Sequence, residues 1–165
     1  MTSIFAKKLI ELAQSRDWQV VEDRLFGFGA LLGWCIKTST HEVTLNVQRN
    51  VQDHEDLLLV YVQRCGAYQN LKHSFRPIAH ILQRVMQVYP AAQNVVCQLT
   101  DLSGAVTGGL ASRRLKHYVE QHLKAESFSD AQGKTWWRIS KNKVFQVASG
   151  ARSMTYHCPT ADLLK

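Results

Sequence analysis

The stretch EVTLNVQ, residues 42–48, alternates without a break: Val43, Leu45 and Val47 point one way, Thr44, Asn46 and Gln48 the other. A period of two is the period of an extended strand, and one apolar row backed by one polar row marks a strand with one wet face. Strand character continues on both sides. Before it, FGFGALLGWCIKTS (26–39) reads as a strand whose glycines bend its entry. After it, DLLLVYVQRC (56–65) is a continuous apolar run, as expected of a strand central in a sheet or buried on both faces. The connections TSTH and NVQDHED are short and polar, so the simplest reading is a three-stranded antiparallel meander.

Helical spacing brackets this meander. Phe5, Leu9, Leu12 and Ala13 predict a helix from Ser3 to Arg16, with Thr2 or Ser3 as its cap. In SFRPIAHILQRVMQVYP (74–90), Ile78, Ile81, Leu82, Val85, Met86 and Tyr89 form one stripe; Ser74 can cap it, Pro77 fits the first turn and Pro90 ends it. QNVVCQLTD returns to strand character, and SGAVTGG is a glycine-rich turn or short strand. SRRLKHYVEQHLK (112–124) then carries Leu115, Tyr118, Val119, His122 and Leu123 as the inward stripe of a third helix. The reading is an α+β fold in a single domain, residues 1–165, built on an antiparallel sheet.

The segment 133–146, GKTWWRISKNKVFQ, sets two tryptophans among four cations. A turn at Lys141–Asn142 would make it a basic hairpin pairing Ile139 with Val144 and Arg138 with Phe145. Alternation then puts Trp137 and Ile139 on one face, Trp136 and Arg138 on the other. One indole packs on the domain. The second is covered by the C-terminal tail or a partner chain, or it serves as a platform for nucleic acid or another ligand.

Charge is lopsided. The chain carries a formal +7, and residues 111–152 hold nine Lys/Arg against three acids, a local balance of +6. That basic helix-plus-hairpin subregion points to an anionic or protein partner, with Arg113, Arg114, Lys116, Lys134, Trp136, Arg138, Lys141 and Lys143 as the candidate binding residues. At 165 residues, with 45% hydrophobic and 20% charged residues, the chain can bury a full core without staples. No run approaches the ~18 apolar residues of a membrane span, and the N-terminus lacks a signal-peptide pattern, so a cytoplasmic protein is expected.

Signatures of catalysis and of cofactors are missing. GAVTGGLASRR shares only glycines with a phosphate loop, and neither HxxxH, HExxH nor CxxC occurs. Cys35, Cys65, Cys97 and Cys158 lie 30, 32 and 61 residues apart, a spacing that suits buried reduced thiols better than a metal site or a disulfide framework. Neither a metal nor a cofactor is expected, and the chain reads as a non-enzyme.

The element order, with PAAQNVVCQLTDLSGAVTGG (Pro90–Gly109) followed by YVEQHL, resembles the class I chaperones of type III secretion systems and the small cytoplasmic regulators of those systems. The resemblance implies a non-enzymatic intracellular chaperone, adaptor or regulator, a homodimer that holds an extended segment of a protein partner by strand addition at a sheet edge. Those chaperones are usually acidic and end near the third helix, whereas a basic tryptophan segment follows here. The alternative is a nucleic-acid-binding accessory protein, its basic helix and hairpin arranged somewhat like a winged helix, its cations on phosphates and Trp136 stacked on an unpaired base.

Overall fold

Ser3 fixes where the first helix begins: its Oγ accepts the Ala6 N–H at 3.1 Å. Helix α1 (Ile4–Arg16) follows and ends at Asp17, whose left-handed backbone (φ 58°) turns the chain out. In the computed structural model, which describes residues 3–64, 75–98 and 117–150, the next element is one that the sequence pattern does not announce. Strand β1 (Gln19–Arg24) pairs antiparallel with β2 (Leu31–Lys37), Val21 opposite Cys35. QVVEDR has only one adjacent apolar pair, so no alternation reveals it, and the expected three-stranded meander has four strands.

Strands β3 (His41–Arg49) and β4 (Glu55–Arg64) complete that meander. Thr44 faces Tyr61 and Leu45 faces Leu59, so Val60 is the extra residue of a bulge in β4. Close approach of β2 to β3 depends on Gly33, where an added Cβ would stand 2.4 Å from the Leu45 carbonyl oxygen.

Helix α2 (Phe75–Val88) carries the foreseen stripe and returns the chain to the starting end of β4. Strand β5 (Ala92–Cys97) therefore runs parallel to β4, Leu57 opposite Val95. This pair departs from the antiparallel pattern of the rest of the sheet because a helical crossover, unlike a hairpin, restores strand direction. A single π-helical turn (Tyr118–His122) is what the structure describes of the expected third helix; 99–116, including the SGAVTGG segment, lies outside the described residues.

The chain closes with β6 (Glu126–Ser129), β7 (Thr135–Ser140) and α3 (Lys141–Ser149). The expected hairpin over 133–146, turning at Lys141–Asn142, does not form; β7 instead pairs with the preceding strand β6 in a hairpin that turns at Asp130–Gly133. Ile139 pairs with Val95, and Arg138 lies between Val96 and Glu126, so the expected partners Val144 and Phe145 belong to a helix. The reason is local: Ser140 Oγ accepts the Lys143 N–H, Gly150 supplies a left-handed cap (φ 74°), and Val144, Val147 and Ala148 have helical spacing.

The seven strands lie in the order β1-β2-β3-β4-β5-β7-β6, mostly antiparallel. The fold is α+β, one sheet with one core. Phe5 and Leu9 of α1, Leu82 and Val85 of α2, and Val144 of α3 join Ile36, Val43, Leu45, Leu57, Val95 and Ile139 in a single buried cluster. Each such side chain contributes about 1.5–3 kcal/mol by leaving water. No described helix is long and apolar enough to cross a membrane.

Candidate partner-binding surface

Strand β7, TWWRIS, sits between β5 and β6, so alternate side chains leave the sheet on opposite faces. Trp137 enters the core, and its indole N–H donates to Glu120 Oε1 at 3.2 Å. Trp136, on the other face, is half-buried and donates to Asp130 Oδ2 at 3.0 Å. Asp130 Oδ1 accepts the backbone N–H groups of Gln132 and Lys134, which ties the β6–β7 turn. The Trp136 N–H, then these backbone donors, hold the Asp130 carboxyl below the usual carboxylate range. The indole offered as a stacking platform is thus fastened to its own hairpin.

Arg138 is fastened too. Its guanidinium lies 4.6 Å from the centre of the Phe128 ring, and its Nε is 3.9 Å from Asp56 Oδ2. Asp56 is 0% exposed and accepts from Asn50 (3.2 Å) and Asn94 (3.1 Å), so one carboxylate links the β3–β4 turn, β4, β5 and β7. Lys141 Nζ donates to the Pro90 carbonyl at 3.0 Å. Lys143 is partly buried in the first turn of α3, and Lys134 stands exposed at the hairpin turn.

The candidate binding residues that are described therefore form no single patch. Trp136 and Arg138 share a face, but Lys134 is separated from Lys141 and Lys143 by the length of β7, roughly 20 Å at ~3.3 Å per residue. Arg113, Arg114 and Lys116 lie outside the described residues. Cys35 and Cys97 are buried and free, as their apolar surroundings suggested; burial pushes the Cys97 thiol up to about 12 and raises Cys35, which suits neither for thiolate chemistry. Cys65 and Cys158 lie outside the described residues, and among the described residues no group of three His, Cys, Asp or Glu side chains could hold a metal ion.

Two surface features escape the sequence reading. The first is β1, whose single strand neighbour is β2, leaving one backbone edge without a strand partner among the described residues. Exposed Val21 lies on this strand, while Glu22 and Arg24 form an ion pair (2.8 Å) toward its end. The second is the β1–β2 corner. Phe26 and Phe28 are 84% and 86% exposed, beside exposed Leu25, Leu31 and Leu32. Apolar LFGFGALL passes for a buried strand entry; the available signal was two phenylalanines each followed by glycine, a turn composition.

No protein-family model matches this sequence, and no curated protein is significantly similar to it.

Proposed function

We propose that the chain is a non-enzymatic, cytoplasmic protein-binding chaperone or adaptor that takes an extended segment of its partner along β1, in the manner of the secretion chaperones it resembles. The observation that carries this reading is the open outer edge of β1. A six-residue strand with exposed Gln19, Val21 and Glu22, whose outer edge has no strand partner among the described residues, offers backbone donors and acceptors to an incoming strand, and Val21 supplies an apolar anchor. The opposite edge, β6, has four residues and is the poorer template. The Glu22–Arg24 pair restricts the edge to partners that tolerate its charges, a usual protection against indiscriminate pairing.

Nucleic-acid binding draws less support, because Trp136, Arg138 and Lys141 are engaged within the fold. A photo-crosslinking residue at Val21 tests the proposal in the protein's own cells. One defined protein should be trapped from Val21 and not from Ser127 on β6. Recovery of nucleic acid without any protein adduct at Val21 would exclude it.

A further inference from the structure

Charge in this fold is divided by layer. The three helices carry seven Lys and Arg and one acid, Glu11, a net +6. The seven strands carry five Lys and Arg and six acids, a net −1. All three helices share the core with one face of the sheet, and Trp136 stands on the other. The helices, which hold the positive excess, thus lie on the side away from Trp136.

The excess is purest on α2 and α3. FRPIAHILQRVMQV and KNKVFQVAS contain Arg76, Arg84, Lys141 and Lys143 and no acid. The two helices lie side by side and antiparallel. Lys141, at the start of α3, donates to the Pro90 carbonyl just past the end of α2. At the other end, an added Cβ at Gly150 would stand 2.8 Å from the Arg76 guanidinium. An open furrow of about 420 Å³ remains between them, bordered by Arg76, Pro77, His80 and Ala148. Arg76, His80 and Arg84 recur every fourth residue, so they follow one another along α2 at ~6 Å per step. Lys141 continues the row at the Pro90 end, roughly 20 Å from Arg76 at ~1.5 Å per residue. These charges are not cancelled. Among the described residues, Arg76, Arg84, Lys141 and Lys143 take part in no ion pair. Arg84 donates to Gln87 (3.4 Å) and Lys141 to a carbonyl, both neutral acceptors. On neighbouring α1, Glu11 is 3.9 Å from Lys8, and Lys7 and Arg16 stand exposed. Two acids border the row: Glu55, which accepts the Tyr89 hydroxyl, and Glu120, which accepts the Trp137 indole N–H.

No exposed large hydrophobic side chain lies on α2 or α3. Their other outward positions are Gln83, Gln87, Asn142, Gln146 and Ser149, four amides and a hydroxyl. A protein partner would require an apolar or aromatic anchor here, and a bilayer a group to insert. A phosphate backbone requires neither: Arg and Lys neutralise it, and Gln, Asn and Ser donate to its oxygens. With no exposed aromatic ring to stack on an unpaired base, the face suits paired strands. We propose that the α2–α3 face binds the phosphate backbone of a double-stranded nucleic acid without reading its sequence. This activity is separate from strand addition at β1 and uses the side of the sheet opposite Trp136.

Fluorescence anisotropy of the full chain with labelled duplex DNA and duplex RNA of arbitrary sequence tests this. Binding to either supports the proposal, and the tighter of the two identifies the source. Affinity should fall log-linearly with salt, since each neutralised phosphate contributes a slope of about −0.9. The double variant Arg76→Gln, Arg84→Gln should lose roughly tenfold or more in affinity and reduce that slope by about 2. Arg76→Lys with Arg84→Lys should retain most of both, which separates charge from helix packing. Lys37→Gln with Lys134→Gln removes the same net charge from β2 and the hairpin turn and should bind as the parent does. Circular dichroism and melting check that each variant is folded. Were the arginine pair to unfold the chain on change to glutamine, Lys143→Gln alone should still lower the slope by about 1. Four results would each overturn the proposal: no binding to either duplex at low salt, parental binding by the Arg76/Arg84 glutamine variant, equal loss by the Lys37/Lys134 control, or polyglutamate competing as well as unlabelled duplex.

Discussion

Asp56 and Tyr89 show how single side chains decide what this surface can do. Asp56 is fully buried, and its charge is tolerated because two amides donate to it and a guanidinium stands 3.9 Å away. Arg138 is thereby drawn half-buried against the sheet, which is the physical reason that the cation of TWWRIS serves the fold. Tyr89 joins the end of α2 to the start of β4 through Glu55. Burial first, then its hydrogen bond to Glu55 and that carboxylate's charge, push its phenol up to about 12 from an ordinary value near 10. A raised phenol favours the folded state while it is neutral. That contribution is complete below about pH 10, where the unfolded chain is also neutral, and is lost as pH rises through about 12. Tyrosinate absorbance should accordingly show a step near pH 12 that Tyr89→Phe removes. The stability gap between parent and variant should shrink over the same window; a constant gap would mean that neither burial nor Glu55 raises the phenol.

At the scale of elements, the decisive signal near the C-terminus is a cap. Ser140 ends β7 and starts α3 in one residue, its Oγ accepting the Lys143 N–H at 3.3 Å. Ser140→Ala should cost about 1 kcal/mol in urea unfolding, the usual cost of losing an N-cap. Were residues 141–142 a hairpin turn, the same change would be near neutral. This junction also explains which elements were legible. EVTLNVQ and the α2 stripe could be read because their apolar residues recur on one face, although Thr44 on the expected wet face of β3 is buried as well, its hydroxyl donating to Asp23. KNKVFQVAS contains cations and the run VFQV, which suits a strand as well, so Ser140 before it, Gly150 after it and the spacing of Val144, Val147 and Ala148 are what favour a helix. Strand β1 left no imprint, since an edge strand with one partner need not bury alternate residues. The parallel β4–β5 pair depends on a crossover, and pairing across a crossover is set by the whole sheet, beyond any local window. The same holds for the candidate site: the sequence showed Trp136 and Arg138 on one face but could not show Asp130 and Asp56 holding them there.

For the whole molecule, the position of β7 governs how far the basic C-terminal part can act alone. The chain passes β6 at the sheet edge and then returns inward, so β7 fills the place between β5 and β6. Trp137, Ile139, Val144 and Val147 from this late segment share the core with Phe5 and Leu9 from the first helix. Burying four such side chains contributes roughly 6–12 kcal/mol at about 1.5–3 kcal/mol each. That is comparable to the entire stability of a typical domain, about 5–15 kcal/mol. A chain ending at Ala125 would also expose the edge of β5, with Val95 and Val96 stripped of their β7 partners. Such a truncation should show no cooperative urea transition and should lose the near-ultraviolet circular dichroism of packed aromatic rings. An appended DNA-binding hairpin would behave differently: its removal would leave the melt of the remaining sheet unchanged and abolish only ligand binding. A cooperative, native-like transition in the truncated chain would therefore contradict the shared core, and would return the basic segment to the status of a separate module.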